Sequence, residues 1–385
     1  MFAGRTNWNL SPNRLAEALA RRRAGGLPVI DLSASNPTEC GFKYDTLAVL
    51  AALENPASLE YHPDPSGLKS AREAVREYYA TRGEDVPADH MILTTSTSEA
   101  YSFIFRLLCD PGDELLIPAP SYPLFDFLAD IQDVKLVRYP LFYDHGWHVD
   151  FHALEQAISP RTKGVIIVHP NNPTGQFVKD SECERLNGIC ATRGIAIIAD
   201  EVFLDFTLKE TQRPIFCLNR DALTFTMSGL SKISGLPQMK LAWLIVSGPE
   251  NESREALDRL EVIADTFLSV SAPVQHAARS LLEQRHSFQK QLMSRVRQNV
   301  AELDRQLLAK ESSVRLEIEG GWYAVLRVPA TRSDEDLAIQ LLEEDGVYLH
   351  PGHFYGFPSE GYLVVSLITP AESFALGISR ILARI

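Results

Sequence analysis

The sequence predicts an α/β protein in which a three-layer large domain, built on a mostly parallel sheet, is joined to a smaller α+β domain. Three observations carry that expectation. From about residue 67 short apolar runs alternate with stretches of helical periodicity. The runs are continuous and rich in Ile and Val, as strands buried on both faces must be. After about residue 250 the rhythm changes to long helical stretches and then to a strand and helix mixture.

Taken in order, NRLAEALARRR has helical spacing, and Arg21, Arg22 and Arg23 give it a solvated face suited to an arm packing on a second copy of the chain. GLKSAREAVREYYATRG reads as a helix, MILTT as a strand, SEAYSFIFRLL as a helix, DELLIP as a strand, YPLFDFLADI as a helix and VKLVRYP as a strand. TKGVIIVHP, IAIIAD, LTFTM and LAWLIVS are further strands, with the helix SECERLNGICATRG before IAIIAD. Residues 272–310 read as long helix and GISRILARI as the last helix. The expected organisation is an amino-terminal arm and start of the small domain over 1–40, the large domain over 41–265, and the carboxyl-terminal small domain over 266–385.

A chain of 385 residues suits two domains and a sizeable core. Its net charge of −13 argues against nucleic-acid binding, whose affinity comes from neutralising phosphates. The five cysteines are scattered without a C-x-x-C pair, which argues against a disulfide framework and a structural zinc site. The amino terminus lacks the apolar segment of a signal peptide, and no apolar run reaches bilayer length, so a cytoplasmic protein without membrane contact is expected. His145, His148 and His152 lack the accompanying ligands of a zinc motif, so no metal is expected there.

In open parallel sheets ligands bind beyond the carboxyl ends of the strands, so the residues after each apolar run come first. Ser96, Thr97 and Ser98 follow MILTT and open a helix, where free N–H groups and hydroxyls suit phosphate, although a cap alone would look the same. Asn171 and Asn172 follow GVIIVHP in a stretch that also reads as a tight turn. Asp200 ends IAIIAD, and a carboxylate so placed needs a cation or its pKa rises. Lys232 follows LTFTM inside SGLSKISGLPQMK, a loop of small residues that suits close approach. An anion cradle, an amide, a buried acid and a lysine on one rim match the needs of pyridoxal 5′-phosphate: a helix start for its phosphate, an amine for its aldehyde and a carboxylate for its ring nitrogen.

These motifs, with IDLSASNPT, Tyr61-x-x-x-x-x-Gly67, DPGDELLIPAPSYP, HPNNPTG, ADEVF and PGHFYGF, run in order over nearly the whole chain. In that order the chain resembles the fold-type I, class I/II aminotransferases of the aspartate aminotransferase superfamily. The resemblance implies the pyridoxal-phosphate-dependent transferase fold, with residues 41–265 binding the cofactor. It implies transfer of an amino group between an amino acid or amine and a 2-oxo acid. Lys232 would form the Schiff base and move the proton, and Asp200 would pair with the ring nitrogen. Asn172 would bond the 3′-oxygen, and Tyr122 would stack on the ring. Ser96, Thr97, Ser98, Ser231 and Lys240 would hold the phosphate, and Tyr61 would reach the neighbouring active site of a homodimer.

Three positions depart from that family. Lys240 stands where an arginine is usual, a point charge in place of a bidentate fork. Phe203 stands where a tyrosine hydroxyl normally reaches the 3′-oxygen, so the Schiff-base nitrogen is expected to keep its proton to higher pH. Val364, in GYLVVSLIT, stands where an arginine would clamp the substrate carboxylate, with His353, Tyr355 and Arg327 as nearby candidates to replace it. Two rivals follow: another pyridoxal-phosphate reaction on the same fold, a lyase or decarboxylase, and a non-enzymatic sensing domain. The second is disfavoured because the aminotransferase-like region fills the chain from about residue 30.

Overall fold

The computed structural model describes residues 1–209, 213–268 and 270–385. Strand β1 (Ile30–Asp31) precedes a sheet made of β2 (Met91–Thr94), β3 (Glu114–Ala119), β4 (Lys135–Tyr143), β5 (Trp147–Val149), β6 (Thr162–Val168), β7 (Ala196–Asp200), β8 (Thr224–Gly229) and β9 (Ala242–Ser247). Its spatial order is β2-β9-β8-β7-β6-β3-β4-β5. The ladder is parallel from β4 through β3, β6 and β7 to β8, whereas β9 runs antiparallel to both neighbours and β5 antiparallel to β4.

The absence of polar alternation in these strands is explained by what covers them. Every residue of β7, β8 and β9 is buried. On one face Ile166, Ile198, Phe225 and Leu244 pack with Phe103 and Ile104 of the Thr97–Leu108 helix and Leu260 of the Glu250–Phe267 helix. On the other, Val165, Ile167 and Ile197 meet Leu186 and Cys190 of the Asp180–Arg193 helix. Trp243 and Ile245 meet Val75 and Tyr79 of the Lys69–Ala80 helix and Leu281 of the Ala272–Glu283 helix. Alternate residues of one strand therefore serve two apolar layers, and the three-layer arrangement follows.

A second, antiparallel sheet contains β10 (Val314–Arg315), β11 (Tyr323–Arg327), β13 (His350–Pro351) and β14 (Tyr362–Ser366) in the order β10-β11-β14-β13, while β12 (Val347–Tyr348) pairs parallel with β1. The helices Arg285–Leu307 and Ala371–Arg384 pack together beside it. The arm expected to lie on a second copy is engaged within the chain: Arg21 pairs with Glu343, and Arg22 donates to the carbonyl oxygens of Pro28 and Glu343.

The two sheets are stitched together at a place that matters for chemistry. The Gly175 carbonyl accepts from both Glu319 N and Gly320 N, at 3.1 and 2.9 Å, and Gly321 N donates to the Phe206 carbonyl at 2.8 Å. The loop entering β11 is thereby held against the turn after β6 and the loop after β7. Gly175 has φ +75°, and a Cβ there would lie 2.7 Å from the Gly320 carbonyl oxygen. Gly175→Ala should therefore destabilise the protein by about 2–4 kcal/mol, from backbone strain plus the clash, read as a lower denaturant midpoint at constant slope.

Candidate active site

The carboxyl ends of β6, β7 and β8 lie side by side, with Val168 opposite Asp200 and Asp200 opposite Met227. Beyond them opens a cleft whose wall includes Thr97, Ser98, Tyr122, Asn172, Asp200, Phe203, Ser231 and Lys232, eight of the residues selected from the sequence. Local structure places each of them. Ser96 caps the Thr97–Leu108 helix by accepting from Glu99 N at 3.2 Å, while Glu99 Oε2 accepts from Thr95 N at 2.6 Å. That reciprocal cap directs the first turn, with Thr97 and Ser98, at the cleft. Lys232 sits in a four-residue helix, Leu230–Ile233, that starts where β8 ends.

Asp200 is 8% exposed. Its Oδ2 accepts from the Tyr101 hydroxyl at 3.0 Å and its Oδ1 from Val202 N at 3.1 Å. Burial nevertheless dominates and pushes its pKa up to about 6, against the two hydrogen bonds and the charge of Lys232. Lys232 keeps part of its surface open to the cleft, and its amine lies 4.9 Å from the Trp322 ring centroid and 5.5 Å from that of Phe203. Desolvation brings its pKa down to about 8, opposed by attraction to Asp200. Each group thus shifts toward its neutral form, as an acid and a base waiting for a ligand would.

Other predicted residues stand outside this wall. Ser96 is occupied as the helix cap. Lys240 is exposed with φ +52°, ending the short helical turn Pro237–Met239. Tyr61 is 77% exposed and borders a separate hollow with His62 and His276. Among the candidates to replace the missing arginine, His353 and Arg327 are exposed, and Tyr355 is buried with its hydroxyl 3.0 Å from His350 Nδ1. His148 lies 3.9 Å from Glu182, and His152 bonds Gln156.

The cleft also contains residues the sequence reading passed over: Ser35, Tyr101, Phe125, Leu128, Val168, Val202 and Tyr323, with Trp322 behind Lys232. Tyr101 had a signal, since it lies four residues after Thr97 and therefore one helical turn along the same face. Tyr323 and Trp322 had none, because they reach the site only through the Gly175 and Phe206 contacts described above.

The side chains suit pyridoxal phosphate. A raised buried carboxylate calls for a proton-bearing ring nitrogen, and a lowered amine calls for a carbonyl carbon. Asn172 leaves its buried Oδ1 unpaired, an acceptor open to a donor in the cleft. The first turn of a twelve-residue helix offers free N–H groups to an anion.

The cleft thus presents the residue types a pyridoxal-phosphate site would use, on a three-layer α/β scaffold. The family described as "Aminotransferase class I and II" matches residues 28–374. The chain belongs to that family. Among curated relatives it is similar to glutamate-pyruvate aminotransferase AlaA of Escherichia coli strain K12, at 30% identity over 259 residues, 67% of this chain and 64% of that protein. The match thus spans a little under two thirds of that relative's length. It is also similar to alanine aminotransferase of Mycobacterium tuberculosis strain H37Rv, at 25% identity over 377 residues, covering 94% of this chain and 86% of that one. Among solved structures, alanine aminotransferase from Pyrococcus furiosus superposes with a TM-score of 0.90 at 24% identity, over 99% of this chain and 98% of that one, a likeness of fold. No helix among the described residues is long and apolar enough to cross a membrane.

A linkage prediction follows from the lysine. The amine's folded-state pKa of about 8 lies below its ordinary value of 10.5, so the cofactor-free protein carries the full penalty of a buried ammonium below pH 8 and sheds it as pH rises to 10.5. Lys232→Met should stabilise the cofactor-free protein at pH 7 by up to about 3 kcal/mol, with the gain vanishing near pH 10.5. Thermal midpoints across that range check it, and an equal gain at both ends would contradict it. Because Asp200 attracts the ammonium, Asp200→Asn should lower the Lys232 pKa further, measured by the pH dependence of its trace acylation.

Proposed function

We propose that the protein is a pyridoxal-phosphate-dependent aminotransferase that moves an amino group between an amino acid or amine and a 2-oxo acid, with Lys232 as the residue that binds the cofactor covalently. The observation that carries this reading is that Asp200 and Lys232 share one cleft and are shifted in opposite directions by burial. When bound, the cofactor supplies an electron sink for the bond broken at the substrate carbon.

The remaining work falls to the chain. Asp200, steadied by Tyr101 and Val202 N, holds a carboxylate where a ring N–H can donate to it. Lys232 offers an amine of which a usable fraction is unprotonated at neutral pH; it would hold the cofactor through its carbonyl carbon and, when free, take a proton from the substrate carbon. Asn172 would donate its amide N–H to the oxygen beside the cofactor's aldehyde, and Tyr122, 39% exposed at the cleft edge, would cover the ring. Ser98, Thr97 and Ser231 supply hydroxyls and N–H groups to the phosphate, with Ser96 shaping that turn. Lys240 would join them on the phosphate, and Tyr61 would reach the phosphate of the second subunit in a homodimer; its exposure beside the exposed apolar Leu59 supports that reading.

Borohydride treatment of the protein mixed with pyridoxal phosphate should attach the cofactor mass to the peptide carrying Lys232, and Lys232→Ala should abolish the attachment. Attachment elsewhere, or none, would overturn the proposal. Incubation with an amino donor alone should leave the extracted cofactor in its amine form, whereas a lyase or decarboxylase would return it as the aldehyde. Sedimentation should give a particle of two chains, and Tyr61→Phe should weaken cofactor retention about ten-fold without altering that mass.

A further inference from the structure

We propose that the amine this site handles carries no carboxylate on the carbon that bears its amino group, and that its body is neutral, with a hydroxyl or ring facing the tyrosines of the cleft. This inference rests on the function proposed above and names the substrate class for it.

Among the described residues of the cleft wall, the carboxylate and ammonium groups are Asp200 and Lys232, and the cofactor engages both. What remains for a substrate is a set of hydroxyls, from Ser35, Tyr122 and Tyr323, together with apolar surface such as Val202. A carboxylate entering this end would lose its hydration without meeting a further cation among the described residues of this chain's cleft wall.

The small sheet shows why. Residues directly opposite in an antiparallel pair share a face, and Tyr323 faces Ser366 while Val325 faces Val364. Tyr323 belongs to the cleft wall, so the face it occupies carries Val364 two residues before Ser366, 1% exposed and unable to hold an anion. Its partner on the other side is His350. That imidazole is bonded to the Tyr355 hydroxyl, and burial lowers its pKa, so it stands neutral. Arg327 lies exposed at the end of β11. Arg295 donates to the carbonyl oxygens of Cys40 and Ile368, with its guanidinium 5.3 Å from the Phe42 ring centroid. The 2-oxo acid acceptor, which carries its carboxylate on the reacting carbon, gains no ion pair in this wall either, so the inference concerns the amino donor.

The test uses the cofactor-loaded protein and matched pairs that differ only by the carboxylate: tyramine with tyrosine, phenylethylamine with phenylalanine, ethanolamine with serine. Borohydride fixation on Lys232 is established first; if that fails, the proposed function fails, and the substrate inference is not what was refuted. The readout is the change in cofactor absorption on titration, giving apparent affinity and rate. In at least one pair the carboxylate-free member should be favoured about ten-fold or more in rate over KM. Equal or better use of the carboxylated member in every pair would overturn the inference.

Val364→Arg should strengthen binding of the carboxylated members about ten-fold, and unchanged affinity in a folded variant counts against the assignment. Because that position is buried, Tyr323→Phe provides an independent arm. It should raise KM for tyramine or ethanolamine about ten-fold with kcat held, and an unchanged KM would remove the hydroxyl from the recognition.

Discussion

Everything distinctive in this molecule depends on placing a carboxylate and an amine, Asp200 and Lys232, in one poorly solvated cleft. Neither position is comfortable. Water would favour both charges, and burial opposes both, so the fold must hold the pair there with contacts made elsewhere. The parallel ladder does most of this. Asp200 ends β7 between Val168 and Met227, in a strand buried from end to end, and the helix with Lys232 begins where β8 stops. A ladder that fixes both strand ends leaves little freedom for their separation.

A second set of contacts joins the loops themselves. Gln289, on the Arg285–Leu307 helix, donates both to Asp205 Oδ2 at 2.7 Å and to the Ile233 carbonyl at 3.0 Å. Asp205 follows Asp200 by five residues and Ile233 follows Lys232 directly, so one amide braces the segments that carry the acid and the amine. Tyr78 donates to the other oxygen of Asp205 at 2.9 Å, which ties the brace to the Lys69–Ala80 helix. The small sheet adds the opposite wall through Gly175 and Phe206, bringing Trp322 and Tyr323 over the lysine. The cleft is therefore a product of both sheets, although its ionisable pair belongs to one.

How much of this could be read beforehand depends on how local each cause is. Buried strands announce themselves by continuous apolar runs, so β6, β7, β8 and β9 and the residues just beyond them were legible, and with them Thr97, Asn172, Asp200 and Lys232. Tyr101 was legible in principle from helical spacing. Tyr323 and Trp322 were not, because they lie more than 80 residues from Lys232 in the chain and their neighbours carry no pattern that points to the cleft. The basic run at Arg21 and Arg22 was less specific for a related reason. A charge pattern shows that a face is polar, not which surface will pair with it, and here Glu343 of the same chain does so.

The environment of Lys232 shows which force prevails. Two aromatic rings lie within reach of its ammonium, and each such contact in a desolvated place is worth about 2 kcal/mol toward the charged form. Attraction to Asp200 acts in the same direction. The pKa falls nonetheless from 10.5 to about 8, a shift of about 3 kcal/mol toward the neutral amine relative to water. Desolvation therefore outweighs the attraction of the carboxylate. Phe203 and Trp322 help exclude the water that would keep the amine charged, and Phe203 brings no hydroxyl to restore it. Apolar walls around a lysine thus make it a nucleophile near neutral pH.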